Sequence, residues 1–204
     1  MHAYAFWFAL VAAIVLVIVA PGEKATVAAV VYGVGLCALF AVSATYHRWR
    51  FDPRWKPILR RLDHATIFVF IAASYTPVAL LVLHGSLALA VLISVWSGAL
   101  LGVAMSVAWI DAPRFLNAAC YVAIGWVAAI ATPQLLDRLG VGVLILFAAG
   151  GILYSVGATI YATQKPDPWP RTFGFHEVFH TLVTAAALLH FVAMAGWVIP
   201  GAGS

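Results

Sequence analysis

The sequence predicts an all-α integral membrane protein, a bundle of seven transmembrane helices, and three observations carry that prediction. Of 204 residues, 65% are hydrophobic and only 9% are Asp, Glu, Lys or Arg, against roughly 25% charged in soluble domains. The charges are segregated, because residues 1–22, 25–47, 64–110, 115–136, 139–164 and 178–204 contain none. These apolar runs are continuous rather than alternating, and too long for the strands of a barrel. Divided at His84-Gly85-Ser86, the third run yields two spans, which makes seven in all, each near the roughly 20 residues that cross a hydrocarbon core. They consume nearly the whole chain, so the expectation is one transmembrane domain over residues 1–204.

Helix 1 is expected over about 4–20, ended by Pro21-Gly22. No basic region precedes its apolar run, so it reads as a retained helix rather than a cleaved signal. Helix 2 is expected over about 25–47, followed by the longest polar stretch, Arg48–Arg61, with Pro53 and Pro57. Helix 3 is expected from about Leu62 to Leu83 with a kink at Pro77, and helix 4 over about 86–109 with Gly98 and Gly102 spaced for close helix approach. Asp111-Ala112-Pro113 turns the chain into helix 5, about 114–132, and helix 6 follows at about 139–163. The stretch Lys165-Pro166-Asp167-Pro168-Trp169-Pro170 cannot continue a helix, and helix 7 is expected over about 174–198. Cys37 and Cys120 both fall inside spans and read as unpaired packing residues. Trp7, Trp49, Trp55, Trp96, Trp109, Trp126, Trp169 and Trp197 lie largely near span ends, as interfacial anchors do.

The net charge of +4 is explained by orientation rather than by nucleic-acid binding. Arg48, Arg50, Arg54, Lys56, Arg60 and Arg61 crowd the connection between helices 2 and 3, and Arg114, Lys165 and Arg171 fall on the same side, nine in all. The opposite side holds two, Lys24 and Arg138. Positive residues stay inside. The N-terminus is therefore expected in the cytoplasm and the C-terminus outside, in a multi-pass protein of the inner (plasma) membrane.

One motif carries chemistry by itself. His176-Glu177-Val178-Phe179-His180 puts two imidazoles four residues apart, about 40° apart around a helix, where both can reach one metal ion. In soluble enzymes this H-E-x-x-H spacing is a zinc site with a built-in base. Here it opens a helix that carries no charge from Val178 to Pro200, and polar groups at such a position are costly to keep. The orientation adds partners. His47 ends helix 2, Asp63 is the second residue of helix 3, and His176 and His180 occupy the first two turns of helix 7, all at the cytoplasmic face. Ser43 lies one turn before His47. Three neutral imidazoles with one open position suit catalytic zinc. Such a metal brings the pKa of its water to about 7, and a carboxylate beside it can shuttle the proton.

Each residue alone has a plainer explanation. His47 fits an interfacial polar residue, Asp63 a first-turn acid facing the helix dipole, and Ser43 a back-bonded packing residue. Convergence is what argues for a site. His64 projects about 100° from Asp63 and is assigned a supporting or interfacial role. His190 reads as a buried hydrogen-bonder or a cavity residue, and His84 and His2 as outside the chemistry.

At these positions the chain resembles the hemolysin III family, the bacterial branch of the progestin and adipoQ receptor superfamily. The resemblance runs through Ser43-Ala44-Thr45-Tyr46-His47-Arg48, Leu62-Asp63-His64-Ala65-Thr66-Ile67-Phe68, Ser74-Tyr75-Thr76-Pro77 and His176-Glu177-Val178-Phe179-His180. It implies seven helices with the N-terminus inside. It also implies a zinc ion (Zn2+) held by His47, His176 and His180, with a water near Asp63 and Ser43. Glu177 departs from the receptors, which have a Gln-like residue there, and leaves open whether it or Asp63 is the base; Asp63 is favoured. The superfamily's similarity to alkaline ceramidases implies hydrolysis of an amide or ester bond in a membrane lipid near the cytoplasmic leaflet. The competing expectation is a non-enzymatic haemolysin, receptor or membrane-stress protein with a structural zinc. An intramembrane protease is disfavoured, because nothing after His180 is acidic and that site needs a further ligand.

Overall fold

A computed structural model describes residues 2–48 and 52–203; Trp49 and Arg50, counted above among the anchors and the basic residues, lie outside the described residues. Every regular element among them is helical: α1 His2–Val19, α2 Gly22–Arg48, α3 Lys56–Leu81, α4 Gly85–Ala108, α5 Arg114–Gly125, α6 Thr132–Thr163 and α7 Phe175–Ala193. A 3-10 stretch, Trp126–Ala131, joins α5 to α6, and a π turn, Met194–Val198, prolongs α7. Six helical segments are long and apolar enough to cross a membrane, with residues 114–163 counting as one segment of 50.

Helix α2 packs between α1 and α3, α3 packs on α4, α6 lies between α5 and α7, and α1 touches α7. Small residues make these approaches possible. Ala25, Ala28 and Ala29 on α2 are fully buried, and Phe68 on α3 is buried against Gly102 on α4, where an added Cβ would come within 2.3 Å of the ring. The outward faces are the reverse of a soluble protein's: Leu101 is 72% exposed and Phe8 78%. A surface that apolar belongs against lipid. The protein is a multi-pass membrane protein.

Three local differences from the expected helices have physical causes. Helix α3 begins at Lys56, six residues before the expected Leu62, because Pro57 occupies its first turn, where a missing N–H costs nothing. Asp63 is therefore the eighth residue of α3 rather than its second. The expected loop around Asp137-Arg138 is helical, since Pro133 starts α6 in the same way, and the chain breaks instead at Gly140, whose φ of 77° is a conformation glycine adopts freely. Finally, Trp96 and Trp126 are not end anchors. Their indole N–H groups donate to hydroxyls on neighbouring helices, Thr76 Oγ1 on α3 at 3.2 Å and Ser155 Oγ on α6 at 2.9 Å. Cys37 and Cys120 are unpaired, as expected.

Candidate metal centre

Four chain segments meet at one end of the bundle. The last turn of α2 brings His47, the second turn of α3 brings Asp63, the first turns of α7 bring His176 and His180, and the start of α1 brings His2. The start of α7 is held by acidic caps. Asp167 Oδ1 accepts the Phe175 N–H at 2.8 Å, and Glu177 Oε2 accepts the Gly174 N–H at 2.9 Å. Both satisfy backbone donors that a helix start leaves open. Glu177 is thereby turned toward its own helix end, and the Glu of the sequence motif is accounted for by capping.

The imidazoles converge by one kind of atom. His176 Nε2 lies 2.8 Å from His180 Nε2 and 3.2 Å from His47 Nε2. Ligand atoms of these three residues all fall within 4.8 Å of one another. Two nitrogens bound tetrahedrally to zinc at about 2.0–2.1 Å would sit about 3.3 Å apart, close to the separations of His176 Nε2 from His47 and His180. Chemistry favours it too. A neutral imidazole has one proton and one lone pair, and three facing Nε2 atoms cannot all be satisfied by sharing protons. One cation takes all three lone pairs. The residues present fit a zinc ion.

Asp63 Oδ2 lies 3.8 Å from His47 Nε2, too far for a direct hydrogen bond and right for one bridged by water. It does not belong to the mutually close donor set. Ser43 is buried, at 4% exposure, and its Oγ lies 2.8 Å from His2 Nδ1. The sequence gives His2 no place near these residues, but the structure sets it against them. It is 8% exposed and contacts His180 through its ring nitrogens at 2.7 and 2.9 Å. A residue at the start of the chain gives no spacing signal, and only the packing of α1 against α2 and α7 delivers it.

The other histidines are apart from this cluster. His64 Nε2 faces Tyr161 Oη at 3.4 Å, His190 Nε2 donates to the Phe147 carbonyl at 3.2 Å, and the His84 backbone N–H donates to Gln134 at 3.0 Å.

Below the cluster lies a cavity of about 240 Å³, whose wall includes Ser43, Asp63 and His180 and continues past Ile67, Phe70, Val183 and Leu144 to His190 and Met194. Along α7 its lining extends from Phe179 to Met194, roughly 20 Å at 1.5 Å per residue. Ser43 and His180 also line a second cavity of about 460 Å³, together with His47, Arg48 and His176. The polar centre thus lies between an open mouth and a long apolar chamber.

Comparison with known proteins finds one family model and several relatives. Residues 1–191 match the family described as Haemolysin-III related. Hemolysin-3 of Bacillus cereus is 32% identical over 181 residues, covering 88% of this chain and 78% of that one. The Hemolysin-3 homolog of Bacillus subtilis is 33% identical over 162 residues, covering 79% and 72%. The human monocyte to macrophage differentiation factor is 29% identical over 181 residues, covering 84% and 70%. No solved structure gives a significant match.

Proposed function

The chain belongs to the haemolysin-III related family, and we propose that it is a zinc-dependent membrane hydrolase cleaving an amide or ester bond of a lipid near the cytoplasmic leaflet. The observation that carries this reading is the convergence of three imidazoles beside Ser43 and Asp63, at one end of an apolar chamber.

The proposed topology has seven crossings, with residues 114–163 crossing twice. Gly140 takes a positive φ, as do Gly22 and Gly85 in the α1–α2 and α3–α4 turns, and the His84–Gln134 contact brings the α3–α4 turn close to the same region. The described basic residues support an inside assignment for the histidine end. Arg48, Arg54, Lys56, Arg60, Arg61, Arg114, Lys165 and Arg171 lie in elements or connections at that end, and Lys24 and Arg138 at the other. The N-terminus is then cytoplasmic, the C-terminus outside, and the plasma membrane the site of action.

His47, His176 and His180 would hold the zinc, which when bound supplies Lewis-acid polarisation and an acidified water. The apolar wall from Ile67 to Met194 seats an acyl chain by burial and sets the scissile bond at the cluster. Asp63, held on α3 beside His47, receives and returns the proton at Oδ2. Ser43 offers its hydroxyl as a hydrogen-bond partner at the same place. The test is metal analysis of purified protein together with a lipid comparison of cells carrying wild-type or Asp63→Asn protein. About one zinc per chain is expected, with a lipid amide or ester accumulating in the variant; zinc-free protein that still consumes the lipid sinks the reading.

A non-enzymatic reading has one observation in its favour, the name Hemolysin-3 borne by the Bacillus relatives. It requires a structural zinc, which ordinarily has four protein ligands. Lysis of cells by purified protein with no lipid product would support it.

A further inference from the structure

We propose that His2 is a positioning residue of the metal centre, holding His180 by the nitrogen turned away from the metal and fixing the direction of the Ser43 hydroxyl. This rests on the zinc reading above. The two nitrogens of His180 have different neighbours. Its Nε2 meets His176 Nε2 at 2.8 Å, within the convergent set, while its Nδ1 meets His2 Nε2 at 2.7 Å and His2 Nδ1 at 2.9 Å. His2 therefore lies on the outer nitrogen. It lies outside the convergent set of His47, His176 and His180.

Proton counting then sets a direction. A neutral imidazole carries one proton. For His180 Nε2 to offer a lone pair inward, its proton must sit on Nδ1 and be donated to His2. The nearer acceptor is His2 Nε2, at 2.7 Å. With Nε2 accepting, the His2 proton sits on Nδ1, 2.8 Å from Ser43 Oγ, and is donated to it. Ser43 then accepts from His2 and keeps its own O–H for a partner in the chamber it shares with Asp63. The reverse order would put the His180 proton on Nε2 and block the inward lone pair, so His180 must be the donor to His2, and the shorter contact selects Nε2 as the acceptor.

The His2 ring is held to make these bonds. It is 8% exposed, packs edge-on against Phe40 with centroids 5.2 Å apart, and meets His180 at 4.0 Å. Metal-ligating histidines generally donate the second N–H to such a partner, and losing the partner weakens metal binding about 10–100-fold.

The test compares zinc affinity, by competition with a chromophoric chelator, in wild-type, His2→Phe and His2→Gln protein tagged at the C-terminus. Phe keeps the contact with Phe40 and removes both hydrogen bonds; Gln can accept from one side and donate to the other. His2→Phe is expected to bind zinc about 10–100-fold more weakly, with His2→Gln recovering most of the loss. Nitrogen-15 NMR of metal-free wild-type protein is expected to show His180 protonated on Nδ1, and this readout needs no variant to fold. Wild-type affinity in His2→Phe, equal weakening in both variants, or a His180 proton on Nε2 overturns the assignment while leaving the zinc reading intact. Wild-type protein that takes up no zinc overturns both together.

Discussion

His180 and His190 lie on one helix, ten residues and about 15 Å apart, and both line the same chamber, yet their surroundings ask for different things. At depth, His190 donates Nε2–H to the Phe147 carbonyl, and Gly150 leaves it room, since a Cβ there would come within 2.3 Å of the ring. Its hydrogen bond is made within the protein. At the mouth, His180 faces His176 with Nε2 against Nε2, and His47 completes the set. Three acceptor nitrogens gathered without enough protons are unsatisfied by the chain alone. His190 is answered by a carbonyl, whereas the Nε2 atoms of His47, His176 and His180 are answered by one another.

The sharpest way to break this comparison is to remove one residue from each region. His176→Ala or His180→Ala is expected to reduce bound zinc from about one per chain to about a tenth or less, because two remaining nitrogens do not make the site. His190→Leu is expected to leave zinc content unchanged, as sites this far apart act independently. Elemental analysis of the purified proteins decides it, and zinc loss in His190→Leu equal to that in His180→Ala would erase the distinction. The next effect separates holding from reacting. Asp63→Asn keeps a polar side chain beside His47 without its negative charge, so zinc is expected to stay while turnover of the lipid falls about 10²–10⁴-fold. Loss of the zinc in Asp63→Asn would make Asp63 a ligand instead.

The mouth was far more legible in the sequence than the chamber. The histidines of the cluster stand out by spacing, as in His176 and His180, or by sitting at the end of an apolar run, as His47 does. The expected meeting of His47, Asp63, His176 and His180 follows from helix direction alone. Helix bounds shift at two prolines: Pro57, which falls in the expected polar connection, and Pro133, which follows the expected end of helix 5, both start helices, because at a first turn the missing N–H has no partner to lose. His2 was illegible because its role depends on α1 lying across α2 and α7, a tertiary fact with no period. The chamber was equally so, since a wall of Ile, Phe, Val and Leu is what any lipid-facing helix also carries. Trp96 and Trp126 were illegible too, their indoles each bonded to a single hydroxyl on another helix that no pattern marks.

Within the deep region, close packing should matter more than any one hydrogen bond. Gly150→Ala would drive a methyl group into His190, with contacts of 2.3 and 2.4 Å to its ring atoms, and overpacking of this kind costs about 1–3 kcal/mol. Thermal unfolding in detergent is expected to shift down by several degrees with zinc content preserved. Adding His190→Ala to the same chain is expected to relieve most of the loss, since the clash needs both groups. An equal shift with and without His190 would mean that the glycine serves the backbone rather than the histidine.

The smallest expected effect tests how little a satisfied polar group between helices contributes. Trp126 Nε1–H donates to Ser155 Oγ at 2.9 Å, while Ser155 itself donates to the Gly151 carbonyl at 2.8 Å. Trp126→Phe removes one donor and leaves Ser155 bonded, so the loss should be near the roughly 0.6 kcal/mol average for hydrogen bonds between membrane helices. Ser155→Ala instead leaves the indole N–H without its acceptor, and a buried donor left unpaired costs about 1–3 kcal/mol; because Trp126 is 44% exposed, the lower end of that range is expected. Unfolding midpoints of the two variants give the order directly. If Trp126→Phe is the more damaging, ring volume rather than hydrogen bonding joins α5 to α6. If the order holds, the bond between Trp126 and Ser155 matters through the donor it satisfies rather than through the ring it holds.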